Sequence, residues 1–265
     1  MNWLNILYPA VSIGGLGLIF GLGLGVASKK FAVEVNPLIP EVRDSLPGAN
    51  CGGCGYPGCD GFAKGVVEDA ANINGCPVGG SETANKIAAL LGMEKTNTVK
   101  KVAYIMCSGT NTLANNKYDY IGIKDCHAAN NMVGKGFKTC SHGCLGLGSC
   151  KNVCAFGAIY LEDGIAKIDE DLCVACGKCV EACPKMLIDI VPLHKRVRVS
   201  CKSLDKGKQA KSACSVACIG CRLCVKSCEF DAITVTNNIA TIDYSLCTQC
   251  GKCVEKCPVN AINSL

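Results

Sequence analysis

The longest hydrophobic stretch of the sequence runs from Trp3 to Ser28 and contains no charged side chain. A helix of this length can cross the hydrocarbon core of a bilayer, which is roughly 30 Å thick. A cleaved signal peptide is the alternative, but it would need a positive charge ahead of the apolar stretch, and none precedes Lys29. The pattern therefore predicts one retained transmembrane anchor over residues 1–28.

The residues that flank the anchor predict its orientation. Lys29 and Lys30 follow the apolar stretch directly, while its other end is uncharged, so the positive-inside rule places the rest of the chain on the cytoplasmic side of the cell membrane. Gly17, Gly21 and Gly25 recur every four residues on one helix face. This spacing suits the close approach of another helix, or simply the glycine tolerance of a lipid anchor.

Shorter elements are predicted beyond the anchor. The range 29–48 contains three prolines and is typical of an extended linker. One short helix is predicted over 61–73, and a second over the run ANKIAALLGMEK, with Ile87, Leu90 and Leu91 on one face and Gly92 near its end. The run VKKVAYIM, residues 99–106, predicts a strand. We expect one small domain over 49–80 and a connecting α/β region over 81–138.

The second half of the chain is an internal repeat with an offset of 74 residues, as between Cys183 and Cys257. In each copy two alternating runs flank a turn: AIYL and AKID surround EDG, and AITV and ATID surround NN. This pattern predicts one β-hairpin per copy. Each copy ends in a C-x2-C-x2-C-x3-C-P motif.

These two motifs match the signature of bacterial two-cluster ferredoxins, whose fourth cysteine binds the other cluster. Three thiolates two residues apart let one loop surround a [4Fe–4S] cubane, whereas tetrahedral zinc is typically bound by two separated cysteine pairs. Three crossed ligand sets are predicted: Cys173, Cys176 and Cys179 with Cys154; Cys218, Cys221 and Cys224 with Cys257; and Cys247, Cys250 and Cys253 with Cys228. The ranges 139–190 and 213–265 are thus predicted as tandem 2[4Fe–4S] ferredoxin-like units, joined by a basic linker over 191–212. The chain as a whole is expected to be of the α+β class.

The first ferredoxin-like unit lacks one expected ligand. The 74-residue offset places Leu147 where Cys221 lies in the second unit, and Cys140 is the nearest replacement. The fourth predicted set is therefore Cys140, Cys144 and Cys150 with Cys183.

A further cysteine group precedes the repeat. It comprises Cys51, Cys54, Cys59 and Cys76, spaced C-x2-C-x4-C-x16-C among glycines, and it predicts one more [4Fe–4S] cluster, with zinc as the alternative. Disulfides are disfavoured because the predicted cytosolic compartment is reducing. These sets use 20 of the 24 cysteines and predict five [4Fe–4S] clusters.

Four cysteines remain outside these sets: Cys107, Cys126, Cys201 and Cys214. Four is the number that one more cluster requires, but no local motif organises them. The sequence therefore leaves open both a sixth cluster and a set of unligated, buried thiols.

Composition and charge limit other functions. The net charge is +5, and one basic strip stands out: Lys195, Arg196, Arg198, Lys202, Lys206, Lys208 and Lys211. It suits either a solvated linker or a docking surface for an acidic redox partner. No aromatic residue alternates with these cations, which argues against nucleic acid. Without a P-loop or a Rossmann fingerprint between strand and helix, the chain is expected to have no NAD or flavin site and no catalytic residue of its own.

The order of these features resembles the B subunit of the Rnf electron-transport complex, in its longer, clostridial-type form. The resemblance rests on the uncharged N-terminal span, on NCGGCGYPGC with its distant Cys-Pro, on GCLGLGSC and on the duplicated ferredoxin motifs. It covers essentially the whole chain.

The resemblance implies an electron-transfer subunit of a translocase, an ion-translocating ferredoxin:NAD+ oxidoreductase. Soluble reduced ferredoxin would donate electrons to the ferredoxin-like units at the cytoplasmic face. The cluster at Cys51 to Cys76 would pass them to the other membrane subunits, which reduce NAD and move Na+ or H+.

Two other functions are open at this point. One is a redox module that keeps an iron–sulfur transcription regulator reduced, as related complexes are thought to do. The other is a cluster-carrying scaffold, which would show labile iron and no reversible reduction. Ferredoxin-dependent NAD reduction by membranes separates the first of these from the translocase.

Overall fold

The computed structural model describes residues 3–31, 36–94 and 99–264. The helices are α1 (Leu4–Lys30), α2 (Leu38–Asp44), α3 (Gly58–Glu68), α4 (Gly80–Leu91), α5 (Cys126–Asn130), α6 (Ser149–Asn152), α7 (Lys178–Glu181), α8 (Gly207–Ala213), α9 (Leu223–Lys226) and α10 (Lys252–Glu255). The strands are β1 (Lys101–Ile105), β2 (Ile159–Glu162), β3 (Ile165–Ile168), β4 (Ile188–Pro192), β5 (Val197–Val199), β6 (Ile233–Thr236), β7 (Ile239–Ile242) and β8 (Ile262–Ser264). This mixture of helices and short strands is the predicted α+β class.

Helix α1 forms the predicted apolar span. Its segment Val11–Lys30 is long and apolar enough to cross a membrane, and none of it is buried against the rest of the chain. Cβ atoms built on Gly17, Gly21 or Gly25 would meet nothing within 4 Å. The helix is therefore a candidate membrane anchor whose glycine face is open.

The domain next to the anchor consists of α2, α3, a 3-10 turn at Ile73–Gly75, and α4. Its core includes Val42, Phe62 and Ile87, which are at most 2% exposed. Helix α3 starts three residues before the predicted helix and ends earlier than predicted. Helix α4 ends where expected, because Gly92 adopts a φ of 67° that favours glycine.

The first ferredoxin-like unit contains two antiparallel strand pairs, β2 with β3 and β1 with β4. In the second pair Ile105 lies opposite Ile188. Strand β1 comes from the range 81–138, which the sequence predicts to be a connecting region. Because its residues 102–105 are buried in the core of this unit, β1 belongs to the unit itself.

The second unit repeats this plan, with β6 paired to β7 and β5 paired to β8. Val199 lies opposite Ile262, as Ile105 lies opposite Ile188 in the first unit. The range 191–212, which the sequence predicts to be a linker, contains β5 and all of α8 except Ala213, while its first two residues end β4 of the first unit. Since Val197 is only 2% exposed and β5 pairs with β8, residues 197–199 belong to the second unit.

The predicted β-hairpins are present in both units. Asp163 and Gly164 form the first turn with φ angles of 43° and 72°, and Asn237 and Asn238 form the second with 49° and 66°. Positive φ at both central residues is the feature of a two-residue turn that matches strand twist, and Asp, Asn and Gly tolerate it best.

Part of the basic strip joins the two units. Arg198 is 1% exposed, lies 5.0 Å from the ring centroid of Tyr104, and binds Glu170 at 2.9 Å. Arg196 binds the same carboxylate at 2.6 Å from a more exposed position. The amine of Lys195 donates to the backbone oxygen of Cys247. These cations hold the fold together, so the strip is not one continuous docking surface.

Replacing Arg198 by methionine should lower the free energy of unfolding by about 3 kcal/mol, because it leaves the Glu170 carboxylate without its buried partner. The matched control is Arg196→Met, which removes the exposed arginine from the same carboxylate and should cost less than about 1 kcal/mol. Denaturant unfolding of the holoprotein measures both. Equal losses would contradict the interfacial role of Arg198.

Candidate iron–sulfur centres

All 24 cysteines are free thiols in the structure, and they gather in six groups of four. Site 1 contains Cys51, Cys54, Cys59 and Cys76. Site 2 contains Cys154, Cys173, Cys176 and Cys179. Site 3 contains Cys126, Cys144, Cys150 and Cys183. Site 4 contains Cys107, Cys140, Cys201 and Cys214. Site 5 contains Cys218, Cys221, Cys224 and Cys257. Site 6 contains Cys228, Cys247, Cys250 and Cys253.

Site 1 lies between the N-terminus of α3 and the loop that precedes α4. Asn50, at a φ of 46°, accepts a hydrogen bond from the backbone N–H of Cys59 at 2.8 Å and so fixes the start of α3. The backbone N–H of Gly79 donates to the Sγ of Cys76 at 3.3 Å. The four residues predicted for this site are therefore brought together around one cavity.

Sites 2, 5 and 6 group the cysteines as the crossed ferredoxin pattern predicts. In each site, three cysteines of one loop meet a fourth from the other motif of the same unit. The short helices α7, α9 and α10 begin after a residue with positive φ, at Gly177, Arg222 and Gly251. This turn carries each loop around its cavity.

Site 3 departs from the expected grouping, because Cys126 takes the place that the sequence prediction gives to Cys140. Cys126 is the first residue of α5, whose N-cap Asp125 accepts from the N–H of Ala128 at 2.8 Å. Ser149 connects this helix to the start of α6. Its hydroxyl donates to Asp125 and accepts from the N–H of Cys126. These bonds hold Cys126 beside Cys150.

The replacement for the ligand missing at Leu147 thus comes from outside the repeat. Cys140 is the nearest thiol along the chain that the motif does not already use, but the structure places Cys126 of α5, and not Cys140, around the cavity of site 3. One feature of the sequence could have indicated Cys126. Asp125 directly precedes it and is a favourable N-cap residue, so a helix that begins at Cys126 could have been predicted.

Site 4 combines Cys140 with three of the four cysteines that the sequence leaves unassigned. A Cβ on Gly109 would lie 3.2 Å from the Sγ of Cys214 and 3.7 Å from that of Cys107, so these thiols flank one glycine. The N–H of Ser108 donates to the backbone oxygen of Ser200 at 3.0 Å, which joins the loops of Cys107 and Cys201.

The internal repeat explains the composition of site 4. Cys140 and Cys214 are separated by the 74-residue offset. Cys107 and Cys201 each lie two residues beyond the equivalent paired positions Ile105 and Val199. Each unit therefore contributes one equivalent pair of thiols, and site 4 lies at the junction between the two units.

The chemistry of the cavities fits iron–sulfur clusters. Burial raises the pKa of Cys107 and Cys150 to about 12 and that of Cys201 to about 11. Such thiols deprotonate when a metal binds them, so ligation offsets the cost of burying them as thiolates. Backbone N–H groups donate to ligand sulfur atoms at 3.3–3.4 Å, as from Ala103 to Cys173 and from Leu187 to Cys183.

A different metal grouping also includes Cys140. One ligand atom each of Cys140, His142 and Asp205 lie within 4.8 Å of one another. A mixed sulfur, nitrogen and oxygen set suits zinc. The cavity at Cys140 is lined by three further thiols, however, and four thiolates complete the ligand set of a cubane.

Contacts between neighbouring sites form a continuous series. A Cβ on Gly53 in site 1 would lie 2.9 Å from the backbone oxygen of Cys176 in site 2. The N–H of Cys144 in site 3 donates to the Sγ of Cys107 in site 4 at 3.4 Å. The N–H of Cys218 in site 5 donates to the Sγ of Cys201 in site 4 at 3.3 Å.

Within each ferredoxin-like unit the series continues through packed helices. Helices α6 and α7 join site 3 to site 2, and helices α9 and α10 join site 5 to site 6. At the far end of the series, Cys221 of site 5 and Cys250 of site 6 are exposed, whereas the other cysteines are buried or half-buried.

Family models match the two cluster-binding regions. The model named FeS, for an Fe-S cluster, matches residues 46–78, which include site 1. The model Fer4, for a 4Fe-4S binding domain, matches residues 166–189 and 240–263. These matches establish a small Fe-S domain and two ferredoxin-type units, and they favour [4Fe–4S] clusters over zinc.

Several relatives match nearly the whole chain. The B subunit of the Na(+)-translocating ferredoxin:NAD(+) oxidoreductase complex of Acetobacterium woodii is 52% identical, over 97% of this chain and 78% of the relative. The B subunit of the ion-translocating oxidoreductase complex of Methanosarcina acetivorans is 46% identical, over 97% of this chain and 98% of the relative. The B subunit of the proton-translocating ferredoxin:NAD(+) oxidoreductase complex of Clostridium ljungdahlii is 44% identical, over 100% of this chain and 94% of the relative. The chain therefore belongs to the family of B subunits of Rnf-type ion-translocating ferredoxin:NAD+ oxidoreductase complexes, as an iron–sulfur electron-transfer subunit.

Proposed function

We propose that this protein takes electrons from soluble reduced ferredoxin on the cytoplasmic side and passes them to the membrane subunits of an Rnf complex. There they support NAD+ reduction coupled to the movement of Na+ or H+. We further propose that all 24 cysteines are cluster ligands and hold six [4Fe–4S] clusters, one at each of sites 1–6. The observation that carries this proposal is the continuous series of contacts from site 6 to site 1.

The chain contributes the environment in which the clusters act as one-electron carriers. Buried and half-buried thiols would hold each cluster largely away from water, except where Cys221 and Cys250 reach solvent, and backbone N–H groups near the sulfur atoms would stabilise its negative charge. Cluster potentials respond to both of these factors. Because each site touches the next, the backbone also fixes the separation between clusters.

The membrane end of the series is proposed to be site 1. Its domain begins with α2, shortly after the candidate anchor α1. Lys29 and Lys30 lie in the last turn of α1, and the positive-inside rule favours a cytoplasmic location for this end of the helix. Site 1 is then the site with the shortest chain connection to the candidate anchor α1.

The donor end is proposed to be the surface around Cys221 and Cys250, where cluster ligands reach solvent. The exposed cations Arg222 and Lys226 lie on the loop and helix beside Cys221. In the part of the chain that the structure describes, neither forms an ion pair. They suit a donor whose surface is acidic around its own cluster, because complementary charge accelerates encounter.

Reversing both charges, as Arg222→Glu with Lys226→Glu, should slow reduction by ferredoxin about tenfold at low ionic strength. Salt should weaken the difference, because it screens exposed charges. Stopped-flow absorbance of the purified complex, mixed with reduced ferredoxin, measures the rate. The matched control is Lys151→Glu, which reverses the charge of an exposed lysine on α6, next to Cys150 of site 3. Because site 3 is not the proposed donor site, ferredoxin should reduce this variant at the unaltered rate.

A charge-reversed complex that is reduced at the unaltered rate at low salt would contradict this donor surface. Membranes that contain the complex test the function as a whole. Ferredoxin-dependent NAD+ reduction by membranes supports the translocase. Its absence, with a regulator reduced instead, would favour the alternative of a redox module that maintains an iron–sulfur transcription regulator.

A further inference from the structure

A buried lysine lies beside site 4, at the junction of the two units. Lys138 is 1% exposed and lines the same cavity as the four thiols of this site. Its amine donates to the backbone oxygen of Gly109 at 2.9 Å and to that of Gly164 at 3.0 Å. These two carbonyl groups hold the charge in one place, between the loop of Cys107 and the hairpin turn of the first unit.

Among residues 3–31, 36–94 and 99–264, no acidic side chain lies within 4.0 Å of this amine. Asp205, whose carboxylate lies within 4.8 Å of the Cys140 thiol, faces His142. Burying an ammonium group without an opposite charge is costly, and two carbonyl dipoles compensate for only part of that cost.

The negative charge that compensates for this cation comes from the cluster ligands. Lys138 lines the same cavity as Cys107, Cys140, Cys201 and Cys214, and its amine is bonded to Gly109, the glycine that the Sγ atoms of Cys107 and Cys214 flank. A [4Fe–4S] cluster with four thiolates is an anion, and accepting one electron adds one more negative charge. The buried cation therefore faces a group whose charge becomes more negative on reduction.

The cation breaks the symmetry of the junction. The 74-residue offset that relates Cys140 to Cys214 relates Lys138 to Ser212. The hydroxyl of Ser212 donates to the backbone oxygen of Gln209 within its own helix α8. The four thiols of site 4 thus come in equivalent pairs, but among the described residues the fully buried lysine comes from the first unit. Lys202 of the second unit also lines the cavity, but it is only half-buried and its amine donates to the backbone oxygen of Met186.

We propose that Lys138 is a fixed cation that raises the reduction potential of the cluster at site 4. This inference rests on the proposed function, because it requires a cluster at that site. The electron arrives from site 5 and adds one negative charge, and no bond forms or breaks. Lys138 favours this reduced state, so site 4 holds an electron between the two units before it continues to site 3. Lys138 does not bind iron, and it acts on the cluster only through its fixed positive charge.

The test is a redox titration of the full complex, followed by electron paramagnetic resonance, with Lys138→Met. The signal of site 4 is identified as the one that disappears in Cys214→Ala. At a fixed potential, the ratio of reduced to oxidised site 4 should fall about tenfold in Lys138→Met, equivalent to about 59 mV for a one-electron couple. Lys138→Arg keeps the charge and should titrate as the unaltered protein does.

The matched control is Lys117→Met, which removes an exposed lysine whose amine also donates to a backbone oxygen, that of Gly134. It should leave the titration unchanged. A site 4 signal in Lys138→Met that titrates within twofold of the unaltered protein would overturn the inference, as would an equal shift in Lys138→Arg. Lys138→Met could also abolish the site 4 signal. In that case a retained signal in Lys138→Arg supports a role of the charge, whereas a signal lost in both variants overturns the inference.

Iron content separates this inference from the function on which it rests. An unaltered chain with about 20 irons, rather than the roughly 24 that six cubanes contain, and with the same iron content in Cys214→Ala, would show that site 4 holds no cluster. In that case the six-cluster proposal fails before any variant of Lys138 is made. Full iron content with an unshifted titration would overturn the role of Lys138 alone.

Discussion

In a Cys214→Ala complex, reduced ferredoxin is expected to reduce the clusters of sites 5 and 6, while those of sites 1, 2 and 3 stay oxidised. The reason is the position of site 4. Site 4 lies between sites 3 and 5. The N–H of Cys144 in site 3 donates to the Sγ of Cys107, and the N–H of Cys218 in site 5 donates to the Sγ of Cys201. Removing one of its four thiolates takes away the intermediate carrier, and NAD+ reduction should fall to the background of the assay.

Freeze-quenched electron paramagnetic resonance after mixing with reduced ferredoxin measures which clusters accept electrons. Cys51→Ala is the matched control, because it removes a ligand at the other end of the series. In that variant sites 2–6 should all be reduced, and only onward transfer should stop. Reduction of sites 1–3 at the unaltered rate in Cys214→Ala would reveal a second route. Loss of distal reduction in Cys51→Ala would reverse the proposed direction.

Pairs of cysteine substitutions are expected to show which thiols share a cluster. The structure separates Cys126 and Cys140 into sites 3 and 4 and places Cys140 with Cys214. On four irons per cubane, the unaltered chain should contain about 24 irons, Cys140→Ala with Cys214→Ala about 20, and Cys126→Ala with Cys140→Ala about 16.

The grouping expected from the sequence gives the opposite order. If Cys140 completed the first ferredoxin-like unit and the four unassigned cysteines held a sixth cluster, the Cys140 and Cys214 pair would affect two clusters and contain about 16 irons. Cys126→Ala with Cys214→Ala would then share one site and contain about 20. Iron and sulfide analysis of the three double variants therefore decides between the two groupings. Zinc in place of iron in the unaltered chain would instead favour the set of Cys140, His142 and Asp205.

Local spacing in the sequence predicted the features that depend on neighbouring residues. The hairpin turns at Asp163 and Asn237, the end of α4 at Gly92, and the three-cysteine loops of sites 2, 5 and 6 are all formed within a few residues. The Fer4 matches cover the cysteine loops of sites 2 and 6, and the FeS match covers the cysteine group of site 1. A loop that surrounds a cubane needs its thiols close together along the chain, so the chemistry is visible in the spacing.

The sequence was less informative about the edges of the domains. Strand β1 lies far along the chain from its partner β4, and β5 lies similarly far from β8. Antiparallel partners at such separations leave no local pattern that relates them. The ranges 81–138 and 191–212 were therefore expected to be connections, although each supplies an edge strand to a ferredoxin-like unit.

The sequence by itself determined that this protein has an apolar N-terminal span, a cysteine group next to it, and a duplicated ferredoxin module. Each of these features is a matter of composition, spacing or repetition along the chain. Only the tertiary structure decided that Cys126 joins site 3, that Cys140 joins Cys107, Cys201 and Cys214, and that Lys138 lies buried among the thiols at the junction. The physical reason is that site 4 is assembled from four distant segments where two equivalent units meet, and this proximity exists only after both units have folded and packed against each other.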